Sequence, residues 1–491
     1  MADKETIEKI CLIVEPPHWT RRSLGEPWLF DVIQRFPEIR FSLVVVGAGD
    51  IDEVLQSGYP ANVESVQVAN LDTGTHKGKK SKRVTQKKFA RLVQTVAVMV
   101  ENSSLGLKAM RETFLEISKV APDMPFEEAW RDPVVWELIT TACELHKVEL
   151  PFTDFYEIVE SVISPIWNLL SIAEEVSEAD VYHGVGGSYA GLLSVILAEK
   201  NDSRSVFTDN RRAPARQMFR YFSEYWKVNA ELQPRVSRLM DHEQLWMEKT
   251  YAFVCHCADQ VVSGSSPAAR LIAERAKLRK PVLRIGIGSD DENARRTRMI
   301  RRHQNGNEFL IGGVFERQSR SDVEMFLAAA HSVDQQFEGC RFHLWGNWNE
   351  EEKAHFLQLA EERSPIADVS FSSIESIEDK IGQIDIAVIP GQCEVGDQLL
   401  GMMFNAQIPV VATDVDKFSG ILESLNWEGS HDFLIQTGAG DGSEMEEALL
   451  NLLSNHRLYE AAGHSARRHL NRNFYHDDMI ADYGRVYQLI H

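Results

Sequence analysis

The sequence of 491 residues has no long apolar run and no N-terminal targeting pattern. A membrane-spanning helix needs roughly 18 to 20 consecutive apolar residues, and no stretch approaches that length. The opening segment, MADKETIEKICLIVE, mixes acidic and basic side chains, whereas a secretory signal peptide has an apolar centre. We therefore expect a cytoplasmic protein without a transmembrane segment.

Cysteine is also scarce, because only six cysteines are scattered along the chain and they form no paired framework. Such spacing predicts reduced, mostly buried thiols rather than disulfides. The one cluster is Cys255-His256-Cys257. Ligands this close on one strand would point alternately to opposite faces, and no second cluster completes a tetrahedron. We therefore expect no metal site.

Positive charge is in deficit, since 52 Lys and Arg against 73 Asp and Glu leave a formal net charge of -21. This balance argues against a nucleic-acid partner, because phosphate neutralisation needs a basic face. The exception is the basic run Lys77–Lys88, KGKKSKRVTQKK. It would suit a protein partner or an anionic surface, and would then place the protein peripherally at the inner membrane. A solvated loop or helix flank is the commoner alternative.

Short apolar runs alternate with helix-length amphipathic segments, which is typical of parallel sheets with crossover helices. In the first part of the chain the predicted strands are CLIVE (11–15), FSLVVVGA (41–48), DVYHGV (180–185), SVFTD (205–209), QVVSGS (260–265) and PVLRIGI (281–287). In the second part they are EFLIGGVF, CRFHLWGN, DVSFSS, DIAVIPG and PVVATDV. The sequence therefore predicts an α/β fold with two Rossmann-like domains.

The segment 288–308 has almost no apolar residues and mixes charges of both signs, as a linker would. We therefore predict a first domain over 1–288 and a second over 289–472, with a terminal helix at 473–491 that packs back on the first. A helical, tryptophan-rich pattern predicts a helical insertion at about 85–180. Because doubly wound sheets bind ligands outside the carboxyl ends of their strands, two facing domains would form a cleft.

A glycine-rich turn follows one predicted strand, in DVYHGVGGSYAGLLSVILAEK (180–200). Gly186 and Gly187 allow a tight turn before a helix whose N-terminal amides can receive an anion or a polar ligand. Tight strand-to-helix turns need glycine in any case, so the motif alone is weak evidence. His183 lies beside the turn, where it either faces a ligand or packs as a satisfied histidine.

Two blocks of the sequence resemble a known family. The run PVVATDV (409–415), with GQCEVGDQLLGMMFNAQI before it and a helical tail after it, resembles the C-terminal half of family 4 glycosyltransferases. The block 180–200, followed by VFTD and FVCHCADQVVSGSSPAARLIAERA, resembles the PelF-like branch of that family, which serves the Pel exopolysaccharide. The order of blocks matches this branch over most of the chain, thinly before about 150.

The resemblance implies a GT-B fold, in which an acceptor-side first domain and a nucleotide-sugar second domain face each other across a cleft. The implied activity is that of a hexosyltransferase-type enzyme that moves a sugar from a nucleotide-diphosphate donor, a UDP-sugar, to a glycan or other acceptor. The transfer would be retaining and metal-independent, with no cofactor besides the donor. Positive side chains and helix N-termini would carry the diphosphate charge.

Family 4 enzymes place two glutamates, separated by seven residues, and a basic pair at the donor site. The first glutamate corresponds to Glu394, which together with His183 is a candidate catalytic residue. The second position is assigned to Met403, which cannot hydrogen-bond ribose hydroxyls. We therefore expect weakened nucleotide binding, and we expect Met403→Glu to strengthen it.

The basic pair corresponds to GGVFERQSRSD (312–322), which begins with Gly312 and has Gly313 where an arginine is expected. Arg317 and Arg320 either replace the pair or are simply exposed loop arginines. In the first domain, Asn210 stands where the branch has a histidine. Two hypotheses stay open: an active glycosyltransferase, or a catalytically inactive paralogue that binds a nucleotide, a glycan or a partner subunit.

Overall fold

The protein, in its computed structural model, folds into two compact units. The first comprises Met1–Thr20, Leu29–Arg284 and Gly484–His491, and the second comprises Arg21–Trp28 and Ile285–Tyr483. The structure describes residues 7–15, 28–47, 59–71, 106–145, 152–209, 246, 248–264, 266–286, 308–315, 320–346, 348–362, 366, 368–373, 377–390, 397–413, 434–437, 442–473 and 476–488.

Within these residues the first unit contains a seven-stranded parallel sheet in the order β3-β2-β1-β4-β5-β6-β7. The strands are β1 (Lys9–Val14), β2 (Arg40–Val46), β3 (Val63–Ala69), β4 (Val181–Val185), β5 (Arg204–Thr208), β6 (Gln260–Ser263) and β7 (Leu283–Arg284). Strands β1 and β4 are buried almost throughout. Such strands are apolar on both faces because helices cover both sides of a parallel sheet.

The helices of the first unit include an insertion between β3 and β4. The insertion contains α2 (Leu107–Val120), α3 (Phe126–Trp130), α4 (Pro133–Leu145) and α5 (Phe152–Ser171). The other described helices of this unit are α1 (Trp28–Arg35), α6 (Ser188–Lys200), a helix at 248–257 and α7 (Ser266–Arg275). Buried side chains of α5 tie the insertion together, since Trp167 Nε1 donates to the carbonyl of Met124 at 2.8 Å. The amide of Asn168 donates to the carbonyl of Leu71 at 3.1 Å, just beyond β3.

The second unit contains, in its described residues, a six-stranded parallel sheet in the order β10-β9-β8-β11-β12-β13. Its strands are β8 (Phe309–Phe315), β9 (Cys340–Gly346), β10 (Val369–Ser373), β11 (Ile386–Ile389), β12 (Val410–Thr413) and β13 (Leu434–Thr437). Its helices are α8 (Arg320–Gln336), α9 (Glu350–Glu362), α10 (Ile377–Lys380), α11 (Asp397–Asn405), α12 (Gly442–Ser454), α13 (His456–Asn473) and α14 (His476–Val486). The last of these begins in the second unit and ends in the first.

The predicted fold class is confirmed, because both sheets are parallel and have helices in their crossovers. Counted within its own unit, each sheet contains the order 3-2-1-4-5-6, which is the Rossmann order of doubly wound domains, and the first sheet adds β7 after its sixth strand. The predicted boundary at residue 288 lies outside the described residues. The domain limits, the terminal helix at 473–491 and the cleft stay predictions.

Some local predictions differ from the structure. The edge strands β3 and β13 were not expected, because VESVQVA and LIQT lack the continuous apolar run of a buried strand. Conversely, PVLRIGI yields only the two residues of β7. The interpretation of Cys255-His256-Cys257 as part of a strand is wrong, because these residues end the helix 248–257. Among the described helices, none has the length and apolarity that crossing a membrane requires.

Candidate functional site

Each sheet reverses its strand order at one point, which lies between β1 and β4 in the first unit and between β8 and β11 in the second. Doubly wound sheets bind their ligands outside the carboxyl ends of the strands at this switch point. The candidate site of the first unit is therefore formed by the side chains that follow β1 and β4, together with those that end β5 and β6.

Glycines shape the turn from β4 into α6. Gly186 has a φ of 95°, a left-handed conformation that glycine adopts without strain. A Cβ on Gly184 would lie 2.7 Å from the carbonyl oxygen of Ala190, so α6 packs directly onto the backbone of β4. Gly187 is the N-cap of α6 with an extended backbone, at φ -86° and ψ 172°. The N-terminus of α6 therefore lies at the switch point.

The carboxylate of Glu15 occupies this helix N-terminus. Glu15 directly follows β1, is only 5% exposed, and its Oε1 accepts a hydrogen bond from the backbone N–H of Ala190 at 2.8 Å. A Cβ on Gly187 would overlap the Glu15 carboxylate, so the acid lies directly over the N-cap residue. An internal carboxyl group therefore fills the place where turns of this kind hold phosphate groups. The proposed role of Gly186 and Gly187 in ligand binding stays a prediction.

His183 is fully buried in β4, and both of its ring nitrogens have partners. Nδ1 lies 2.6 Å from the hydroxyl of Tyr487 and Nε2 lies 2.7 Å from the hydroxyl of Thr208. Burial lowers the pKa of His183 to about 3, so the ring is neutral at physiological pH. This environment favours a positioning role, in which the histidine joins β4 to β5 and to the C-terminal Tyr487. Its catalytic role stays a prediction.

The carboxyl ends of β5 and β6 add further polar groups. Thr208 ends β5, and the next residue, Asp209, is 0% exposed. The backbone N–H of Asp209 donates to the carbonyl of Val262 at 3.0 Å, which holds it beside the end of β6. There, Ser263 is fully buried, and its hydroxyl has no hydrogen-bond partner among the residues that the structure describes. The described edge of this sheet is therefore polar and acidic.

In the second unit, Gly312 and Gly313 lie inside β8 and are enclosed by apolar side chains. A Cβ on Gly312 would lie 2.7 Å from Cζ3 of Trp345, and one on Gly313 would lie 3.1 Å from Cζ of Phe326. Packing alone therefore requires small residues at both positions. Their assignment to nucleotide binding stays a prediction, and the structure shows a packing reason for each glycine.

Met403 lies on α11 and is 0% exposed, within a hydrophobic cluster that includes Trp345 and Ile384. The assignment of the second family glutamate to Met403 also needs correction, because seven intervening residues after Glu394 lead to Met402. Met402 belongs to the same cluster and is 6% exposed. Both methionines are thus core residues, and a ribose contact at either position stays a prediction.

The remaining predicted site residues lie at or beyond the limits of the described residues. Glu394 and Arg317 fall outside them, as do Asn210 and the basic run Lys77–Lys88. Arg320 is the first residue of α8, a helix that follows β8 at the switch point of the second unit. The structure therefore brings together the candidate residues of the first unit, and those of the second stay predictions.

Sequence reasoning missed Glu15, Thr208 and Tyr487. A signal existed for Glu15, because an acid that directly follows the buried strand CLIV at the N-terminal end of a Rossmann pattern lies at a switch point. Tyr487 had no comparable signal. It lies 304 residues from His183 along the chain, and only the fold brings the two side chains together.

Comparison with protein families gives one match, to the model described as Domain of unknown function (DUF3492), over residues 9–210. No curated protein matches the sequence. The match covers β1 to β5 and the helical insertion, and the description of the model names no activity.

Solved structures show a clearer similarity. Sucrose-phosphate synthase from Thermosynechococcus elongatus matches with a TM-score of 0.57 and 11% identity, over 98% of each chain. HepE from Anabaena, solved in complex with UDP-glucose, matches with a TM-score of 0.55 and 10% identity, over 98% of this chain and 100% of that one. A glycosyltransferase from Rickettsia africae matches with a TM-score of 0.53 and 11% identity, over 98% of each chain.

These similarities cover nearly the whole chain, and at 10–11% identity they concern the fold alone. Together with the two Rossmann-ordered sheets, they show that the protein has the fold of GT-B glycosyltransferases.

Proposed function

We propose that the protein transfers a sugar from a nucleotide-diphosphate donor to a glycan acceptor, with retention of configuration and without a metal ion. The observation that carries the proposal is the match of both doubly wound sheets, over 98% of the chain, to proteins of the GT-B class. One of these, HepE, was solved with UDP-glucose, and this supports a UDP-sugar as the donor. The order of sequence blocks supports exopolysaccharide synthesis as the setting.

In this proposal the donor binds at the switch point of the second unit, outside β8 and β11. Arg317 and Arg320 neutralise the leaving diphosphate, and the N-terminal amides of nearby helices share its charge. Glu394 stabilises the positive charge that develops on the sugar as the bond to the diphosphate breaks. These interactions accelerate transfer to the extent that they are stronger in the transition state than with the bound donor.

His183 contributes by positioning in this proposal. Because its ring is neutral and bonded on both nitrogens, it holds β4, and with it the glycine turn before α6, in a fixed place. Proton transfer by His183 would need one of these hydrogen bonds to break and an imidazolium to form in a buried site, which is costly.

A second function has observations in its favour, namely a non-catalytic paralogue that binds a nucleotide, a glycan or a partner subunit. Gly313 stands where the resemblance expects an arginine, and the structure encloses it with aromatic side chains. Met402 and Met403 stand at or next to the expected position of a glutamate and are buried in the core. Such replacements would weaken donor binding without disturbing the fold.

Donor hydrolysis and transfer assays of Glu394→Gln test the first function against the second. Glu350→Gln, an exposed carboxylate in the first turn of α9, is the matched control because it makes the same chemical change on the surface. We expect activity in the wild type and in the control, and its loss in Glu394→Gln. Full activity in Glu394→Gln would show that Glu394 does not stabilise the transition state, and binding without turnover in the wild type would favour the paralogue.

A further inference from the structure

The first turn of α4, in the helical insertion, exposes large apolar side chains. Trp136 is 54% exposed and Val134 is 46% exposed, and they are two of four large hydrophobic residues that are exposed in the part of the chain that the structure describes. The other described tryptophans are buried or partly buried. Single exposed hydrophobic residues are ordinary on a protein surface, whereas contiguous ones mark sites of interaction.

The exposed indole continues into a group of aromatic rings. Trp136, Phe152 and Tyr156 form this group, which we call the aromatic surface. The ring centroid of Trp136 lies 5.0 Å from that of Phe152 and 5.3 Å from that of Tyr156. Phe152 and Tyr156 are partly buried and pack against the core of the first unit. Because two anchored rings hold the indole in place, a partner that binds it would lose little free energy to ordering the side chain.

The helices that carry the aromatic surface are strongly acidic. Residues 126–145 and 152–171, which comprise α3, α4 and α5, contain eight Asp and Glu and a single basic residue, Arg131. The whole chain has 73 acidic and 52 basic residues, so these helices are far more acidic than the average of the protein. Such a field attracts a cationic partner and repels an anionic one.

Negative charge also reaches the aromatic surface itself. Glu137 follows Trp136 on α4 and is exposed. Burial raises the pKa of Tyr156, and the nearby carboxylate of Glu160 raises it further. Burial and the neighbouring Glu157 likewise raise the pKa of Glu160. A positive charge placed over these rings would offset the repulsion between the carboxylates.

This combination of an exposed indole and surrounding carboxylates suits one occupant best. A guanidinium group stacks on an indole face through a cation–π interaction and donates hydrogen bonds to carboxylates in the same plane. An anionic membrane or a nucleic acid would be repelled. The same surface of a second copy would be repelled as well, because it carries the same charge. A neutral sugar could stack on the ring but would gain nothing from the acidic field.

We propose that the aromatic surface docks an arginine-bearing segment of a partner protein, with a guanidinium stacked on the Trp136 indole and paired with Glu137. The surface belongs to the helical insertion and not to either switch point. The proposal therefore does not depend on the proposed sugar transfer, and either can fail without the other.

Titration of the full chain with a blocked hexa-arginine peptide tests the stacking. The variant is Trp136→Ala, and the matched control is Leu107→Ala, which removes an exposed hydrophobic side chain from α2 of the same insertion. We expect the peptide to bind Trp136→Ala about fivefold more weakly than the wild type, and the control to bind like the wild type. Trp136→Phe, which keeps an aromatic ring, should bind more tightly than Trp136→Ala. Equal affinity of Trp136→Ala and the wild type overturns the proposal.

A charge variant covers the case in which Trp136→Ala does not fold. Glu137→Gln removes one exposed carboxylate beside the ring, and Glu350→Gln makes the same change of net charge in the second unit. We expect Glu137→Gln to weaken hexa-arginine binding about threefold at low ionic strength, and the difference to shrink as salt is added. An equal loss in Glu137→Gln and Glu350→Gln would show only general attraction to an acidic protein and overturns the proposal.

The other occupants have their own readouts. Binding of maltohexaose that depends on Trp136, without any dependence of hexa-arginine binding on Trp136, would assign the surface to a neutral glycan. Self-association of the wild type that is lost in Trp136→Ala, again without an effect on the peptide, would assign it to a second copy of the chain. Sedimentation measures the latter, and either result overturns the proposal.

Discussion

Replacing Gly187 with alanine tests the described geometry of the first unit at its tightest point. The backbone at Gly187 is extended, with φ -86° and ψ 172°, so alanine fits the conformation without strain. The new methyl group, however, would overlap the Glu15 carboxylate and drive it from the Ala190 N–H. A lost hydrogen bond to a charged group costs about 1.5–3 kcal/mol, and overpacking costs about 1–3 kcal/mol. Because the displacement of the Glu15 side chain causes both effects, we expect Gly187→Ala to lower the free energy of unfolding by about 2–4 kcal/mol in total.

Gly106→Ala is the matched control, since Gly106 is also an N-cap glycine with an extended backbone, at φ -66° and ψ 147°. A Cβ there would meet nothing within 4 Å, so only the modest preference for glycine over alanine at an N-cap applies. Urea unfolding of both variants, each made also in a Glu15→Ala background, gives a double-mutant cycle. In the Glu15→Ala background, Gly187→Ala should lower the free energy of unfolding no more than Gly106→Ala does. An equal loss of unfolding free energy for Gly187→Ala with and without Glu15 would refute the contact between Glu15 and Gly187.

Three further predictions concern buried residues of both units. Met403→Glu should destabilise the second unit by roughly 3–5 kcal/mol, because it places an unpaired carboxylate in a core position. Thermal unfolding measures this loss. Tighter UDP binding by a folded variant would instead support the sequence-based assignment of position 403 to the ribose site. Gly312→Ala should cost about 1–3 kcal/mol, because the methyl group would meet Trp345; an unchanged midpoint in urea would contradict the packing. Since burial lowers the pKa of His183 from 6.5 to about 3, its contribution to stability is complete above pH 6.5 and is lost as the pH falls towards 3. His183→Gln should therefore flatten the pH dependence of the unfolding free energy below pH 6.5 by about 1.4 kcal/mol per pH unit, and an unchanged slope would show that His183 titrates normally.

The sequence was informative where burial on both faces forces a continuous apolar run. Strands such as β1, β4 and β12 were predicted because CLIV, VYHGV and VVAT have few other interpretations in an alternating pattern. The edge strand β3 was not predicted, because VESVQVA is only half buried and carries polar residues that a central strand would exclude. The helix 248–257 was misjudged at its end, since FVCHC is apolar enough for either a strand or a buried helix.

The candidate site was predictable only in part. The glycines of the turn at 184–187 were visible in the sequence, because tight turns and close packing restrict the residue type. The position of Glu15 after β1 indicates the switch point, but its contact with this turn is not visible in the sequence. Glu15 and Ala190 lie 175 residues apart and meet only through the pairing of β1 with β4. For the same reason, the hydrogen bonds of His183 to Thr208 and Tyr487 could not be inferred from local patterns.

Calorimetric titration of the purified protein with UDP-, GDP- and ADP-sugars, coupled to a donor-hydrolysis assay, tests the proposed function most directly. We predict that one nucleotide sugar, a UDP-sugar, binds with a dissociation constant between about 1 μM and 1 mM, and is turned over without added metal and in the presence of EDTA. If the folded protein binds none of these nucleotide sugars, the proposed function is wrong.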